Sequence, residues 1–300
     1  MTTAPALDEA TRLWIVELKR RGISAAVTGT LVNGLRAEVR RGGDACRVNL
    51  HFSASKGFSV VYAGGERSLS AEAAMSPSMP EGRAEGRSVG MDEAGKGDYF
   101  GPLAAAAVCL GPGPGDTLRG HGVADSKTLP DKRILKLADL VRETAEGSSV
   151  VLLSPDEYNN KFIKFRAKGL NSLDMLAELH GRALGQLLER CPGPANILLD
   201  KFCSAKRLSR FMPDGVEVEL RTGAEADTAV AAASILARAA YVRELDRIRS
   251  EYGVDLPAGS AAAADQAGRD LVALHGSASL HLVAKYHFRN TERILAGSIS

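Results

Sequence analysis

Two adjacent carboxylates end an apolar run near the middle of the chain. Asp92 and Glu93 follow Ser-Val-Gly-Met, and a very apolar segment, Leu103–Leu110, comes after the next turn. Two acids at the end of a buried strand are costly unless a cation lies between them. A divalent metal held by carboxylates is the usual arrangement in phosphoryl-transfer chemistry. The doublet therefore predicts a metal site that acts on phosphate esters.

A metal site of this kind needs further acids, because magnesium prefers octahedral oxygen ligation. Asp200 is the best third ligand, since it closes the apolar run Ile-Leu-Leu where a strand would end. Glu225 and Asp227 come just before a long predicted helix. Asp227 is suited to cap that helix, so we expect Glu225 to be the fourth acid. A capping or dipole-complementing role remains an open alternative for both residues.

The glycine-rich segment around Lys96 fits only the first part of a nucleotide-binding loop. Gly97 stands where that loop requires a Ser or Thr to hold magnesium, and Asp98-Tyr-Phe-Gly-Pro is a turn sequence that no helix can follow directly. Gly95, Lys96 and Gly97 are instead interpreted as a turn whose backbone can approach a sugar-phosphate chain closely. A flexible connector is the simpler alternative.

Composition and charge exclude several classes of protein. The chain has 300 residues, of which 45% are hydrophobic and 25% charged, enough for a full core. The net charge is only +2, so nucleic-acid affinity must come from local basic patches. The four cysteines form no Cys-x-x-Cys pair and are interpreted as small buried side chains in a reducing cytosol. With no apolar leader or membrane-spanning run, we expect a cytoplasmic protein.

The elements that would position the acids fall into two groups. A helical apolar period over residues 7–22 is followed by four short alternating runs with glycine-containing turns between them. Residues 1–64 are therefore predicted to form a small module of one helix and an antiparallel sheet. Residues 65–87 are rich in Ser, Ala, Pro, Gly and Glu and lack periodicity, which is typical of a linker.

Residues 88–300 alternate strands and helices, which predicts a layered α/β domain. The predicted strands span residues 89–92, 103–110, 150–153, 196–202 and 216–221. The predicted helices span residues 130–146, 171–190 and 227–252. The last of these begins with small residues, so we expect it to pack tightly. His180, on the second helix, is interpreted as a structural histidine rather than as a base.

At these residues the chain resembles the type 2 ribonucleases H, and most of all type HIII. The opening family motif, Asp-Glu-x-Gly-x-Gly-Asp-Tyr-Phe-Gly-Pro, is matched from Asp92 to Pro102. Four further motifs follow in order, namely Asp125-Ser126-Lys127, Asp200-Lys201-Phe202, a helix from Ala229 to Arg238, and Lys285 to Thr291. The lysine of Gly-Lys-Gly and the extra N-terminal module are similar to type HIII, whereas bacterial HII relatives would show Gly-Arg-Gly.

The resemblance implies a ribonuclease H-like catalytic domain with a central mixed sheet, preceded by a small α+β domain like half of a TATA-binding protein. It implies endonucleolytic cleavage of the RNA strand of RNA–DNA hybrids with Mg²⁺ or Mn²⁺. We expect a two-ion site and in-line attack by water, which would give 5′-phosphate and 3′-hydroxyl ends. The implied catalytic residues are Asp92, Glu93, Asp200 and Glu225, the first three as metal ligands. The implied substrate-binding residues are Gly95, Lys96, Gly97, Asp125, Ser126 and Lys127.

Several alternatives stay open. An ungapped match of the helix motif puts Ala224 at the position of the fourth acid, so the choice between Glu225 and Asp227 is undecided. Rival functions are a type HII activity at single ribonucleotides in duplex DNA and a non-catalytic hybrid-binding protein. We expect a monomer with no membrane partner. Basic residues of the N-terminal module could grip the hybrid or form a solvated face; they are Lys19, Arg20, Arg21 and Arg36.

Overall fold

The computed structural model describes residues 3–31, 34–53, 57–69, 87–111, 113–123, 129–193 and 195–296. The chain divides into two compact units, Met1–Arg83 and Ala84–Ser300. The predicted Asp125-Ser126-Lys127 segment and most of the predicted linker lie outside the described residues. Within the described ranges, no helix combines the length and the apolar character that crossing a membrane requires.

The N-terminal unit is one helix packed on a four-stranded antiparallel sheet in the order β1-β2-β3-β4. Its elements are α1 (Thr3–Arg20), β1 (Ser24–Leu31), β2 (Gly34–Arg41), β3 (Asp44–Ser53) and β4 (Gly57–Gly65). Trp14 and Leu18 of α1 pack against Val39 and Val48 on one face of the sheet. The predicted helix and sheet are confirmed. The unit continues beyond residue 64, because Leu69 is buried in the same core.

The larger unit is built on a five-stranded mixed sheet in the order β7-β6-β5-β8-β9. The strands are β5 (Arg87–Ala94), β6 (Leu103–Leu110), β7 (Gly147–Leu153), β8 (Ala195–Asp200) and β9 (Glu219–Arg221). Strands β5, β6 and β7 pair antiparallel, while β8 pairs parallel with both β5 and β9. The predicted mixed sheet is confirmed.

Nine helices of this unit fall within the described residues. They are α2 (Pro114–Gly120), α3 (Asp131–Thr144), α4 (Pro155–Ala167), α5 (Ser172–Arg190), α6 (Ala205–Leu208), α7 (Thr228–Tyr252), α8 (Ala262–His275), α9 (Ser279–Val283) and α10 (Arg289–Ala296). Helix α5 covers one face of the sheet, and α3 and α7 cover the other. All eight residues of β6 are buried, because this strand is covered on both faces.

Two predicted strands are shorter in the structure. The run predicted as 196–202 ends at Asp200, and only Glu219–Arg221 of the run predicted as 216–221 is a strand. The second run starts late because the N–H of Val216 bonds to the carbonyl of Pro213 at 3.2 Å, which closes a turn. Helix α4 was not predicted, although its start carries a readable signal: Ser154 and Glu157 form a reciprocal capping box.

The sheet approaches α7 closely at Gly90 of β5. A Cβ atom added at Gly90 would overlap the backbone of Ala229 and Val230 in the first turn of α7. The predicted tight packing of this helix is therefore confirmed, and glycine is required on the strand as well as small residues on the helix.

We predict that Gly90→Ala lowers the free energy of unfolding by about 1–3 kcal/mol or more, because the added methyl group must push α7 away from β5. Denaturant unfolding of the purified protein measures the change. Gly120→Ala is the matched control, since a Cβ atom at Gly120 meets open space and should leave the stability nearly unchanged. Equal stability of the two variants would contradict this account of the packing.

Candidate active site

Asp92 and Asp200 lie side by side at the ends of neighbouring parallel strands. Met91 of β5 is in register with Leu199 of β8, and each aspartate is the next residue on its strand. Neighbouring strands run about 4.8 Å apart. Two acids that are more than 100 residues apart in the chain are thus brought together by the pairing of β5 with β8.

Both aspartates point to the same face of the sheet. Side chains on a strand alternate between faces, so Asp92 shares a face with Gly90, and Asp200 with Leu198. Gly90 lies against the backbone of α7, and Leu198 packs on Val230 of that helix. Asp92 and Asp200 therefore face α7, where the hydroxyl of Ser234 hydrogen-bonds the Asp92 carboxylate.

The Asp92 carboxylate lies in a site that disfavours its ionised form. Burial and the adjacent charge of Glu93 raise the pKa of Asp92 to about 6. The Ser234 hydroxyl and the N–H of Glu93, at 2.8 Å from Oδ1, oppose this rise only in part. A cation between the strands would remove the penalty, so the observed environment fits a divalent ion.

Glu93 points to the opposite face of the sheet and contacts α5. Its Oε2 lies 3.1 Å from Nε2 of His180, and its Oε1 lies 3.4 Å from Nζ of Lys96. Burial alone would raise the pKa of Glu93, but the hydrogen bonds and charges of His180 and Lys96 outweigh it and lower the pKa. Glu93 is thus held as a carboxylate of defined orientation.

His180 is fully buried, and its ring stacks on Phe202 with the ring centroids 5.2 Å apart. Nδ1 of His180 makes no hydrogen bond within the described part of the chain. Because a carboxylate can only accept a hydrogen bond, Nε2 is the ring nitrogen that donates to Glu93. The sequence indicated a structural histidine but contained no sign of this partner. The available signal for a polar partner was the position of His180 on the buried face of an amphipathic helix.

Asp200 is held by the backbone of the next connection. Its Oδ1 accepts hydrogen bonds from the N–H groups of Gly223 at 3.0 Å and Ala224 at 3.2 Å. Its Oδ2 accepts none from the residues that the structure describes. The turn that donates these bonds continues into a short 3₁₀ helix, Ala224–Ala226. One oxygen of Asp200 is therefore fixed in place while the other stays available.

The two candidates for a fourth acid lie in and just after the short 3₁₀ helix of this turn. Asp227 caps α7, since its carboxylate accepts hydrogen bonds from two N–H groups of the first turn at 2.8 and 3.3 Å. The capping role predicted for Asp227 is confirmed. Ala224 is buried against Leu198 and Val230. Glu225 is half-buried, one residue beyond the N–H groups that bind Asp200, so it remains the candidate.

Residues 95–102, which we call the glycine turn, follow the acid doublet. Gly95 has a φ of +89°, and a Cβ atom there would overlap the carbonyl oxygen of Pro102. Packing alone therefore requires glycine at this position. Gly97 and Lys96 are exposed, and a Cβ atom at Gly97 would meet nothing within 4 Å. The tip of the turn presents an open backbone and the Lys96 ammonium.

Among the residues that the structure describes, a group of possible metal ligands whose donor atoms all lie within 4.8 Å of one another occurs at the other end of β6, formed by Cys109, Glu146 and Cys191. The guanidinium of Arg87 lies among them: its Nε donates to Glu146 at 2.6 Å, and another N–H donates to Cys191. Burial raises the pKa of the Cys109 thiol to about 11. Because a cation already fills the centre and the thiol is protonated, we interpret this group as an ion-pair cluster.

Comparison with known proteins identifies the family of this chain. Residues 89–291 match the family model described as Ribonuclease HII. Ribonuclease HIII of Streptococcus pneumoniae (strain CGSP14) is 34% identical over 211 residues, covering 68% of this chain and 71% of that protein. Ribonuclease HIII of Bacillus licheniformis is 35% identical over 221 residues, covering 71% of this chain and 69% of that protein.

Solved structures extend the similarity across both units. The crystal structure of Bst-RNase HIII in complex with Mn²⁺ superposes with a TM-score of 0.67 at 28% identity, covering 91% of this chain and 92% of that one. Aquifex aeolicus RNase H3, at 22% identity and a TM-score of 0.56, supports the fold. The mixed sheet and the family match together define a type 2 ribonuclease H. Within that class, the chain belongs to the ribonuclease HIII family of ribonuclease H enzymes.

We predict that Asp92→Asn stabilises the metal-free protein near neutral pH. The pKa of Asp92 in the fold, about 6, lies above the ordinary value of 3.8, so the carboxyl group destabilises the fold increasingly as the pH rises from about 4, and fully above about pH 6. The variant should gain up to about 3 kcal/mol there and nothing below about pH 4.

Denaturant unfolding with a chelator present, at acid and at neutral pH, measures this difference. Asp214→Asn, at an exposed aspartate, is the matched control and should show no such gain. A stability difference for Asp92→Asn that is independent of pH would contradict the electrostatic explanation.

Proposed function

We propose that this chain cleaves the RNA strand of RNA–DNA hybrids by metal-dependent hydrolysis of phosphodiester bonds, leaving 5′-phosphate and 3′-hydroxyl ends. The observation that carries the proposal is the pairing of Asp92 with Asp200 at the ends of β5 and β8 in a chain of the ribonuclease HIII family. Water is the attacking group, and no nucleophilic side chain is required.

The carboxylates fit two divalent ions, Mg²⁺ or Mn²⁺. Asp92 and Asp200 would hold the ions, and Glu225 would complete the ligand set. Glu93 would join it through the oxygen that Lys96 now contacts, once that contact is released. Such ions, when bound, lower the pKa of the attacking water and stabilise the charge that develops on the leaving 3′-oxygen. The half-buried Asp92, whose pKa is raised, supports this ligand role, as does the Mn²⁺ complex of Bst-RNase HIII.

The neighbouring side chains orient this ligand set. Ser234 hydrogen-bonds Asp92 from α7, and His180 donates to Glu93 from α5. These partners lie on opposite faces of the sheet, so each acid is held by a different helix. Such support limits the rotamers of the carboxylates before any ion binds, which increases both affinity and precision.

Substrate recognition is assigned to the glycine turn. Gly95, Lys96 and Gly97 would contact the RNA strand, since an open backbone can approach the minor groove and read 2′-hydroxyl groups. The Lys96 ammonium pairs with the Glu93 carboxylate at 3.4 Å. A phosphate of the RNA strand could replace Glu93 as the partner of this ammonium. For Asp125, Ser126 and Lys127, the proposed substrate role depends on their motif alone.

We predict that Asp92→Asn and Asp200→Asn each reduce Mg²⁺-dependent cleavage of an RNA–DNA hybrid by about 100-fold or more, because each removes charge from the ligand set. A gel assay with an end-labelled hybrid measures the rates, and circular dichroism verifies folding. Asp214→Asn serves again as control and should cleave at the wild-type rate. Near wild-type cleavage by either site variant would refute the mechanism.

The same assay separates the rival functions. A duplex with a single ribonucleotide in DNA reports the junction-type activity, which the match to the Ribonuclease HII model keeps as the alternative. Preference for that duplex over the full hybrid would replace the proposed substrate. A protein that binds hybrid without metal-dependent turnover would be a binding module, a role that adjacent carboxylates disfavour because they repel a polyanion.

The N-terminal unit is proposed to grip the hybrid through the open face of its sheet. Ala37 and Val39 of β2 are buried under α1, so the alternate residues Arg36 and Arg40 point away from the helix. Arg47 of β3 is likewise exposed, because it lies between two buried neighbours. Of the other basic candidates, Lys19 and Arg21 are exposed on or beside α1, and the side chain of Arg20 lies outside the description.

We predict that the double substitution Arg36→Ser and Arg47→Ser weakens hybrid binding and lowers the slope of log K against log salt by up to about 2, since each phosphate contact contributes about 0.9. Fluorescence anisotropy with a chelator present measures binding without cleavage. Lys19→Ser together with Arg21→Ser is the control for a solvated helix face. If the control lowers the slope and the sheet variant does not, the sheet face is the wrong surface.

A further inference from the structure

Lys285 is fully buried beneath the glycine turn, and the proposed mechanism does not use it. Its Nζ donates hydrogen bonds to the backbone carbonyls of Asp98 and Gly101, both at 2.9 Å. The backbone N–H of Lys285 donates to the carbonyl of Tyr99 at 2.8 Å. One residue therefore satisfies three carbonyl groups of the same turn.

The surroundings of Lys285 contain no carboxylate in ion-pair contact with it, among the residues that the structure describes. The Asp98 carboxylate accepts instead from the N–H of Gly259 at 2.5 Å, and the Tyr158 ring lies 5.7 Å from Nζ. Burial lowers the pKa of Lys285 to about 7, although the Asp98 charge opposes this. Even the neutral amine has two N–H groups, one for each of the two carbonyls to which Nζ donates.

Backbone contacts already hold the second half of the glycine turn. The N–H of Gly101 bonds to the carbonyl of Val283 at 2.9 Å, and Phe100 forms an isolated antiparallel bridge with Ala284. These contacts reach no further toward the tip than Tyr99. At Asp98 the N–H of Gly259 holds the carboxylate, and the Lys285 side chain holds the backbone carbonyl. The N–H of Asp98 closes the tip on the carbonyl of Gly95 at 3.3 Å.

A buried amine is an expensive way to fill this space, since an apolar side chain of similar length would avoid the cost of desolvation. The amine contributes what an apolar side chain cannot, namely donors for two carbonyls that differ in position along the turn. Its effect is therefore on the conformation of the tip, where Lys96 and Gly97 are exposed, rather than on the hydrophobic core.

We propose that Lys285 is a positioning residue for hybrid binding: its amino group fixes the Asp98 and Gly101 carbonyls so that the tip of the glycine turn presents Lys96 to the RNA strand. The inference depends on the proposed function, in which this turn contacts RNA. Lys285 itself does not touch the substrate or the acids.

The test is a double-mutant cycle on the KM for a hybrid, with Lys285→Met and Lys96→Ala singly and together. Methionine keeps the length and apolar volume of the side chain but has no donors. We expect Lys285→Met to raise KM about tenfold with little change in kcat, since a shift of about 1 Å in a contacting group has effects of this size or larger. The double variant should have nearly the KM of Lys96→Ala alone, because a displaced turn no longer matters once the Lys96 contact is gone.

Two further variants separate positioning from general loss of stability. Leu271→Ala, a buried change in the same core that makes no hydrogen bond to the turn, should destabilise the fold without coupling to Lys96→Ala. Lys285→Gln keeps two N–H donors without a charge, so it should restore KM toward wild type. It also carries the test if the methionine variant does not fold.

The outcomes divide clearly. An unchanged KM in Lys285→Met, multiplicative effects of Lys285→Met and Lys96→Ala, or equal KM values for the Gln and Met variants would each overturn the proposal. Failure of both variants to fold would also overturn it, by making the amine a determinant of the fold. If the wild-type protein does not cleave the hybrid at all, the proposed function fails instead, and the two failures are thereby distinguished.

Discussion

The structure of the site depends on carboxylates that the pairing of β5 with β8 brings to one edge of the sheet. Burial and the adjacent charge of Glu93 disfavour the ionised form of Asp92, because burial removes the water that would screen the two charges. Ser234 and the backbone N–H groups that bind Asp200 orient the two acids but do not neutralise them. Only a cation both orients the acids and neutralises their charge. Stability and ligand strength therefore oppose each other here, as expected where a fold keeps a site ready for a metal.

Strand alternation assigns each acid of the doublet to a different layer. Asp92 faces α7 and Glu93 faces α5, so the position of the pair is determined by how closely both helices approach β5. The approach of α7 is set by Gly90 and the small residues opposite it. The approach of α5 is set by the His180 ring between Glu93 and Phe202. Core packing thus determines the geometry of the charged groups.

Local sequence patterns were sufficient to predict the strands that end at the acids, because an acid that closes an apolar run has a local signal. The same is true of Asp227, whose position just before a small-residue helix indicated a cap. The partners of the acids had no such signal. That His180 meets Glu93 follows from the distance between a strand and a helix 87 residues apart in the chain. The burial of Lys285 could not be predicted for another reason, since lysine is almost never fully buried.

Neighbouring residues of the glycine turn meet different requirements, one for packing and one for an exposed backbone. Gly95 is needed for packing, because its conformation and the Pro102 carbonyl leave no room for a side chain. Gly97 meets no such restriction, so its value lies in an exposed backbone. A tip of this kind has few contacts of its own and would sample many conformations. Rigid support from below, through the carbonyls that face the core, restricts the tip without covering the surface that must stay open. Buried polar groups under an exposed binding loop are the physical solution to that conflict.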